Sequence, residues 1–458
     1  MYGIIKRAWN LAMYIVSYLA GDLLMLLSGS SFTWSSPVLP KLLNNTTSPF
    51  GRSISPDEAT WISSLVPLGA AVGPFALAYM ADKFGRKITL LFLGVPFLLS
   101  HLILAFGNIV ELYYVARFTI GLSAGGTFTI MPNYAGEIAD KSIRGALGST
   151  ISTATCAGLL LSYALGPYVS IMAFNLVLAM ISVIFLVLFF FVGVECPQYF
   201  IIRKEYDLAE DALRKIRGGF KTGDVEKELA EIQMTIDEEH RGSIINVIKS
   251  TGFIKAFFMA TGLLVFQQFT GINMVFYYTQ IIFQETGSLW SPEICSIAIG
   301  VVQFLSSLTT PLIIDRLGRK FTLMGSAIWM ILSEVPLGVY IYIKQRGIDV
   351  SSISFLPLLT LIVFIVAYNS GFGPLPWVML GEVFPSRIKV IASSVVSCIS
   401  WSLAFVLTKY FELFISFGLA ESFWFFAGCC FLGLLFSKFC VVETKGKSLQ
   451  EIQEIFNS

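Results

Sequence analysis

Between Leu263 and Tyr278 the chain reads Leu-Leu-Val-Phe-Gln-Gln-Phe-Thr-Gly-Ile-Asn-Met-Val-Phe-Tyr-Tyr, three carboxamides in a stretch otherwise apolar enough to sit in a bilayer. Polar side chains within a membrane span are costly, and they face a bundle interior or a wet cavity where a partner or a substrate meets them. Gln267, Gln268 and Asn273 are neutral, and each offers two donors and an acceptor. That chemistry suits a ligand studded with hydroxyls and suits an ion poorly. On an ideal helix Gln267 and Asn273 stand about 120° apart, so a smooth helix would present both only along a wide face. Gly271 lies between them and supplies a point where the helix can unwind.

The elements that position these groups are membrane spans. Hydrophobic residues make up 55% of the 458, charged residues only 13%, and mean hydropathy is +0.75, against roughly 25% charge in a soluble domain. The net charge of +1 excludes any electrostatic case for nucleic acid or an acidic partner. The seven cysteines form no evenly spaced framework, so no disulfide scaffold is implied. With only His101 and His240, and no P-loop or nucleophile motif, the sequence predicts neither an enzyme nor a metal or cofactor site. His101 falls in the third span and is expected to be packed or paired with a polar neighbour.

A helix needs about 20 apolar residues to cross a bilayer. Such stretches lie near 10–32, 58–80, 88–107, 111–133, 145–169, 172–193, 256–283, 292–314, 321–343, 354–380, 390–415 and 419–440, which predicts an all-α membrane protein of twelve transmembrane helices. The long charged segment 194–252, with helix-like runs at Asp207–Arg217 and Asp224–Glu239, divides them six and six. The expected organisation is therefore a half at 1–193, a helical linker at 194–252, a second half at 253–440 and a tail at 441–458. With both termini and the linker cytoplasmic, only Lys41, Arg52, Lys344, Arg346 and Lys409 fall outside and Arg117 within a span; every other basic residue is inside. The positive-inside rule thus sets the orientation. The first span is read as retained, because the run after Lys6 and Arg7 is long and no small-residue cleavage site follows it. Asn44-Asn45-Thr46-Thr47, in the first external loop, is two overlapping glycosylation sequons, and a glycan is expected at one of Asn44 and Asn45.

The halves repeat one another. Asp82-Lys-Phe-Gly-Arg86-Lys follows the second span and Asp315-Arg-Leu-Gly-Arg319-Lys the eighth. Glu137 with Arg144 after the fourth span is echoed by Glu382 with Arg387 after the tenth, and Glu195-Cys-Pro after the sixth by Glu443-Thr-Lys-Gly after the twelfth. Headgroup anchoring accounts for single basic residues but not for the carboxylates. Ion pairs between helix ends that latch the halves on one face, and release when they part, account for both. Two similar halves with polar groups at mid-depth fit alternating access around a central site.

With those residues in place, the chain resembles the sugar porters of the major facilitator superfamily over essentially its whole length. The motifs that carry the resemblance are the paired loops above, Arg117 with Gly121, Glu137 to Arg144-Gly145, Glu195-Cys-Pro, Gln267-Gln268-Phe-Thr-Gly-Ile-Asn273 with Tyr277-Tyr278, Gly373-Pro-Leu-Pro-Trp377, Glu382-Val-Phe-Pro-Ser-Arg387 and Glu443-Thr-Lys-Gly446. Trp34-Ser-Ser-Pro-Val-Leu-Pro40 and Ile54-Ser-Pro-Asp-Glu58 look most like the insect facilitated trehalose and glucose transporters. The resemblance implies that Gln267, Gln268, Asn273, Gln303, Asn369 and Trp377 hold a small-molecule sugar, the indole stacking on a pyranose face. It implies that Tyr277 and Tyr278 close an outer gate. Asp82, Arg86, Glu137, Arg144, Glu195, Asp315, Arg319, Glu382 and Arg387 would form the inner one. It further implies a monomer in the lipid bilayer of the plasma membrane.

Ser152, Asn369, Ser400 and Val442 depart from residues common in the family, and the first three bear on which sugar is taken. Proton-coupled relatives pair a first-span Asp with the fourth-span arginine, here Arg117; the matching position falls near Ser31, which cannot carry a proton. Asp22 lies nine residues earlier, about 13.5 Å along a helix, and is expected out of reach of Arg117. A facilitative uniporter is the expectation, with a proton symporter and a non-transporting sugar sensor as the alternatives.

Overall fold

The computed structural model describes residues 2–139, 144–217, 222–240, 247–384, 386–447 and 449–457; the side chains of Arg144, Asp315 and Arg387 lie outside what it describes. All regular structure among these residues is helical. In chain order the helices are α1 (Tyr2–Thr33), α2 (Ser35–Leu42), α3 (Pro56–Phe84), α4 (Arg86–Phe106), α5 (Val110–Ile138), α6 (Arg144–Leu165) and α7 (Ile171–Val192). Three follow in the linker: α8 (Pro197–Ile202), α9 (Tyr206–Arg217) and α10 (Thr222–His240). The rest are α11 (Thr251–Gln268), α12 (Ile272–Thr286), α13 (Pro292–Leu317), α14 (Arg319–Gln345), α15 (Leu356–Ser370), α16 (Leu375–Val383), α17 (Ser386–Lys409), α18 (Phe411–Phe417), α19 (Leu419–Phe439) and α20 (Leu449–Asn457).

Nine helical segments among the described residues are long and apolar enough to cross a membrane, and α1, α5 and α6, of 32, 29 and 22 residues, complete twelve spans. Two of the twelve are interrupted. The seventh is α11 followed by α12, broken at Gly271, whose φ of 78° lies in the left-handed region that a side chain would strain. The tenth is α15 followed by α16, broken over 371–374, where Pro374, and Pro376 just inside α16, lack the backbone N–H that a continuous helix would use. At the starts of spans the sequence supplies caps. Ser55 and Glu58 form a reciprocal capping box on α3 with Pro56 in its first turn, and Ser170, Ser250 and Ser291 each accept a backbone N–H of the helix they precede.

The buried apolar residues form two clusters, one drawn mainly from α1 to α7 and one mainly from α11 to α19. Each contains residues from the other half: Tyr277, Tyr278, Trp401 and Phe411 sit in the first cluster and Tyr163 in the second. The halves therefore share packing where these residues lie. One end of the bundle, the linker face, carries α8 to α10 and the tail helix α20, which packs on α11 and α16. The opposite end, the loop face, carries α2 and Asn44.

Ties across the halves concentrate toward the loop face. Lys409 Nζ lies 2.5 Å from Asp57 and 2.9 Å from Thr60 Oγ1, over the ring of Trp61 at 4.4 Å. Ser35 Oγ donates to the Tyr277 carbonyl at 3.0 Å, the Gln280 N–H to Ser36 Oγ at 3.1 Å, and the Tyr163 hydroxyl meets Thr279 Oγ1 at 2.9 Å. No described ion pair crosses the halves on the linker face.

Candidate functional site

In the interrupted seventh span each carboxamide has a distinct task. Gln267 Nε2 donates to the carbonyls of Phe372 and Gly373, at 2.6 and 2.7 Å. These oxygens are released by the break between α15 and α16, and in a bilayer a freed carbonyl must find a donor within the protein. Gln267 thus joins the two broken spans, keeping only its carbonyl oxygen for another group. Asn273 Nδ2 donates to Gln268 Oε1 at 2.6 Å, and Gln268 Nε2 to Ser400 Oγ at 2.9 Å, a chain linking the seventh span to the eleventh. Asn369 Nδ2 donates to Ser306 Oγ at 2.8 Å and to the Gln303 carbonyl at 3.3 Å, so the tenth span is also tied to the eighth.

Gln303 Oε1 and the Tyr277 hydroxyl are buried without a hydrogen-bond partner, as are Gln280 Oε1, Thr408 Oγ1 and Arg117 Nη2. Orphaned buried polar atoms are rare and call for an explanation such as a ligand. Aromatic rings adjoin Tyr277 across the half boundary. Phe32 stacks on Trp401 at 5.4 Å, Trp377 lies 6.2 Å from Trp401, and Phe128 lies 6.4 Å from Trp377 and 6.0 Å from Trp401. The Trp377 ring is half-buried. Tyr277 packs edge-on to Phe32 at 6.5 Å, while Tyr278, at a kink in α12, stacks on Phe411 at 3.7 Å and donates to the Thr408 carbonyl. The aromatic rings and amides together offer flat apolar faces beside neutral hydrogen-bonding groups.

The buried charges follow a different pattern. Arg117 donates to the backbone carbonyls of Ser31 and Ile62, both at 2.9 Å, and lies over Trp34 at 4.7 Å. No carboxylate faces it in these bonds. Asp22 accepts from Thr150 Oγ1 at 2.6 Å and its other oxygen has no partner. His101 is packed parallel to Phe97, with Nδ1 2.8 Å from that residue's carbonyl. Glu334 of α14 is a second buried carboxyl that sequence reading missed, and its Oε2 has no hydrogen-bond partner. The acidic Glu334, in a run as apolar as Ile331-Leu-Ser-Glu-Val335, was the available signal.

On the linker face the repeated motifs form two matching constructions. Glu195 accepts the N–H groups of Arg86 and Lys87, at 2.8 and 3.0 Å, and Glu443 accepts those of Arg319 and Lys320, both at 3.0 Å. Each carboxylate therefore caps the positive end of a span that begins after a glycine of positive φ, 93° at Gly85 and 86° at Gly318. Burial pushes the Glu195 carboxyl above its ordinary value despite those bonds; at Glu443, where burial acts in the same direction, the backbone N–H groups prevail and hold it below. Arg86 bonds Glu137 at 3.0 Å and approaches Asp82 at 3.6 Å, and Arg319 bonds Glu382 at 3.1 Å. The expected pairs between halves are thus, among the described residues, pairs within a half. The physical reason is reach: in this conformation each arginine starts a helix packed beside the carboxylate of its own half. The ion pair that does cross, Lys409 with Asp57, lies at the other end and was not anticipated. Ser400, Ser306 and Tyr163 were likewise missed as partners, since hydroxyls in apolar runs carry no signal of their own.

The chain matches the family model described as "Sugar (and other) transporter" over residues 23–456. Facilitated trehalose transporter Tret1 of Apis mellifera ligustica is 35% identical to it, over 99% of this chain and 90% of that protein. Tret1 of Polypedilum vanderplanki is 34% identical over 96% and 87%. The fold is similar to that of the xylose transporter XylE from E. coli in a partially occluded inward open conformation, with a TM-score of 0.79 and 23% identity over 95% of this chain and all of that one. XylE described as a proton:xylose symporter bound to 6-bromo-6-deoxy-D-glucose gives a TM-score of 0.77 at 24% identity, over 98% and 100%. Two interrupted spans bridged by carboxamides, a duplicated charged loop and near full-length matches agree, and the chain belongs to the sugar transporter family, a multi-pass membrane transporter of the major facilitator fold.

Proposed function

We propose that this protein is a facilitative carrier of a neutral sugar, a hexose or trehalose, and that it moves its substrate by exposing one site alternately to the two faces. The observation that carries the reading is the neutral polar constellation between the interrupted spans, where Gln303 Oε1 and the Tyr277 hydroxyl are buried and orphaned. A sugar hydroxyl satisfies such atoms. An ion would leave the carboxamides with poorer partners. Gln267, Gln268, Asn273, Gln303, Asn369 and Trp377 form the site, with Ser400 supporting Gln268. The functional division is 1–193, linker 194–252, 253–440 and tail 441–458. The protein acts as a monomer in the plasma membrane, with both termini and the linker in the cytoplasm. Tyr277 and Tyr278 belong to the outer closure, and the charged residues of the linker face to the inner one. Asn44 is the glycan acceptor: it is exposed, and its Oδ1 accepts from the Thr46 N–H and hydroxyl at 3.0 and 2.8 Å. A glycosidase that leaves the mature protein's mass unchanged removes that assignment.

Uniport is favoured over symport because Arg117 is bonded to two backbone carbonyls and no carboxylate. Counterflow of labelled glucose and labelled trehalose in proteoliposomes tests the reading directly. Exchange of either supports it; sugar binding without exchange identifies a sensor. Uphill uptake under an inward proton gradient, abolished by Asp22→Asn, makes the protein a symporter.

A further inference from the structure

The fifth and seventh spans belong to opposite halves, and a hydroxyl of the fifth holds the backbone of the seventh. Tyr163 of α6 is fully buried, and its ring lies against Gly300 of α13, where a Cβ would stand 3.0 Å from the ring carbon Cδ2. The absent side chain lets the phenol reach α12. There the Thr279 hydroxyl donates to the Val275 carbonyl, so what it offers Tyr163 is a lone pair. The one phenol proton is therefore shared between Thr279 Oγ1 at 2.9 Å and the Phe276 carbonyl at 3.2 Å.

Two further buried hydroxyls of the same half serve this turn. Ser35 Oγ donates to the Tyr277 carbonyl at 3.0 Å, and Ser36 Oγ accepts the Gln280 N–H at 3.1 Å. Tyr278, with φ −130° and ψ 17°, departs from helical geometry, and within a bilayer a turn pulled off its own ladder is completed by neighbouring side chains. The carbonyls of residues 276 and 277, on either side of the Tyr277 side chain, are thus fixed from the N-terminal half. The Tyr277 hydroxyl is buried without a hydrogen-bond partner. A tyrosine side chain has only two torsions, so the backbone sets where that hydroxyl points.

On the carrier reading above, we propose that Tyr163 is a positioning residue for sugar binding: it holds the backbone at Tyr277 so that the Tyr277 hydroxyl meets a hydroxyl of the sugar. Tyr163 acts through Tyr277 and does not itself bind the substrate.

Binding of labelled glucose and labelled trehalose is measured in nanodiscs for Tyr163→Phe, Tyr277→Phe, the double variant and the unchanged protein. Each single variant is expected to weaken binding by about three- to tenfold, the worth of one hydrogen bond. The double variant should bind no more weakly than Tyr277→Phe alone, because the hydroxyl that Tyr163 positions is already gone. Additive losses overturn the proposal, as does unchanged binding by either single variant. Ser35→Ala removes the donor to the Tyr277 carbonyl and gives the same cycle through a second tether. Amide hydrogen exchange across 275–281 is read without sugar: Tyr163→Phe is expected to speed it about three- to tenfold, and an unchanged rate overturns the proposal whether or not either sugar binds. Counterflow by the unchanged protein tests the carrier reading separately.

Discussion

Replacing Lys409 by Met removes the cation of the single described ion pair that joins the halves, and it should release the closure at the loop face. The amine makes three contacts: Asp57 at 2.5 Å, the Thr60 hydroxyl at 2.9 Å and the Trp61 ring at 4.4 Å. Asp57 is 72% exposed, so its share is discounted to the few tenths of a kcal/mol typical of surface pairs. The ring contact adds about 0.5–1 kcal/mol, and the hydroxyl bond a similar amount. The sum, about 1–2 kcal/mol, corresponds to about a 5- to 30-fold shift of the equilibrium toward the state open at that face. Ala404, fully buried on α17 in the shared core cluster, is the reporter position. In a background lacking the native cysteines, Ala404→Cys should react with an impermeant maleimide from the loop face several-fold faster when Lys409 is Met. Asp57→Asn should reproduce a smaller part of the gain. Equal labelling rates with Lys and Met at position 409 would refute the reasoning.

Other substitutions separate the roles of the carboxamides and caps. Gln268→Ala should weaken sugar binding by about 1–3 kcal/mol with the fold retained; binding by the purified variant, unchanged for every sugar tested, would remove it from the site. Gln267→Ala should instead lower thermal stability by a similar amount, because two buried carbonyls lose their donor; a melting temperature equal to that of Gln268→Ala or higher would contradict the bridge. Glu443→Gln should loosen the start of α14. The folded carboxyl of Glu443 lies below its ordinary value of 4.5, so its contribution is complete above that pH and is lost as pH falls through the lower folded value. The melting temperature of the unchanged protein should therefore converge on that of the Gln variant in that acidic range and separate from it above.

The spans and the candidate site were open to sequence reading for the same reason: in a chain this apolar, a carboxamide or a proline stands out against its background. Gly271 marked the break in the seventh span, and Pro374 with Pro376 the break in the tenth. Which donor serves the carbonyls freed in the tenth span was not readable, because it depends on how α11 packs against α16. Lys409 and Asp57 are 352 positions apart, and only the closure of the two halves brings them together. The charged motifs were recognisable as a repeated set, but their pairing was not. Arginine can reach several carboxylates, and the conformation decides whether it bonds within its half, as Arg86 does with Glu137, or across.

The carboxylate caps also impose an order on biosynthesis. The backbone donors at Arg86 lie 109 residues ahead of Glu195, and those at Arg319 lie 124 residues ahead of Glu443. While the ribosome is still making the intervening spans, the first turn of α4, and later that of α14, has only water for its N–H groups. Each half is finished by its own last segment, so a nascent chain halted before Glu195 holds five or six spans with an open start at α4. A chaperone or a quality-control protease that inspects the membrane surface would meet that unfinished end first, and a completed half would no longer offer it.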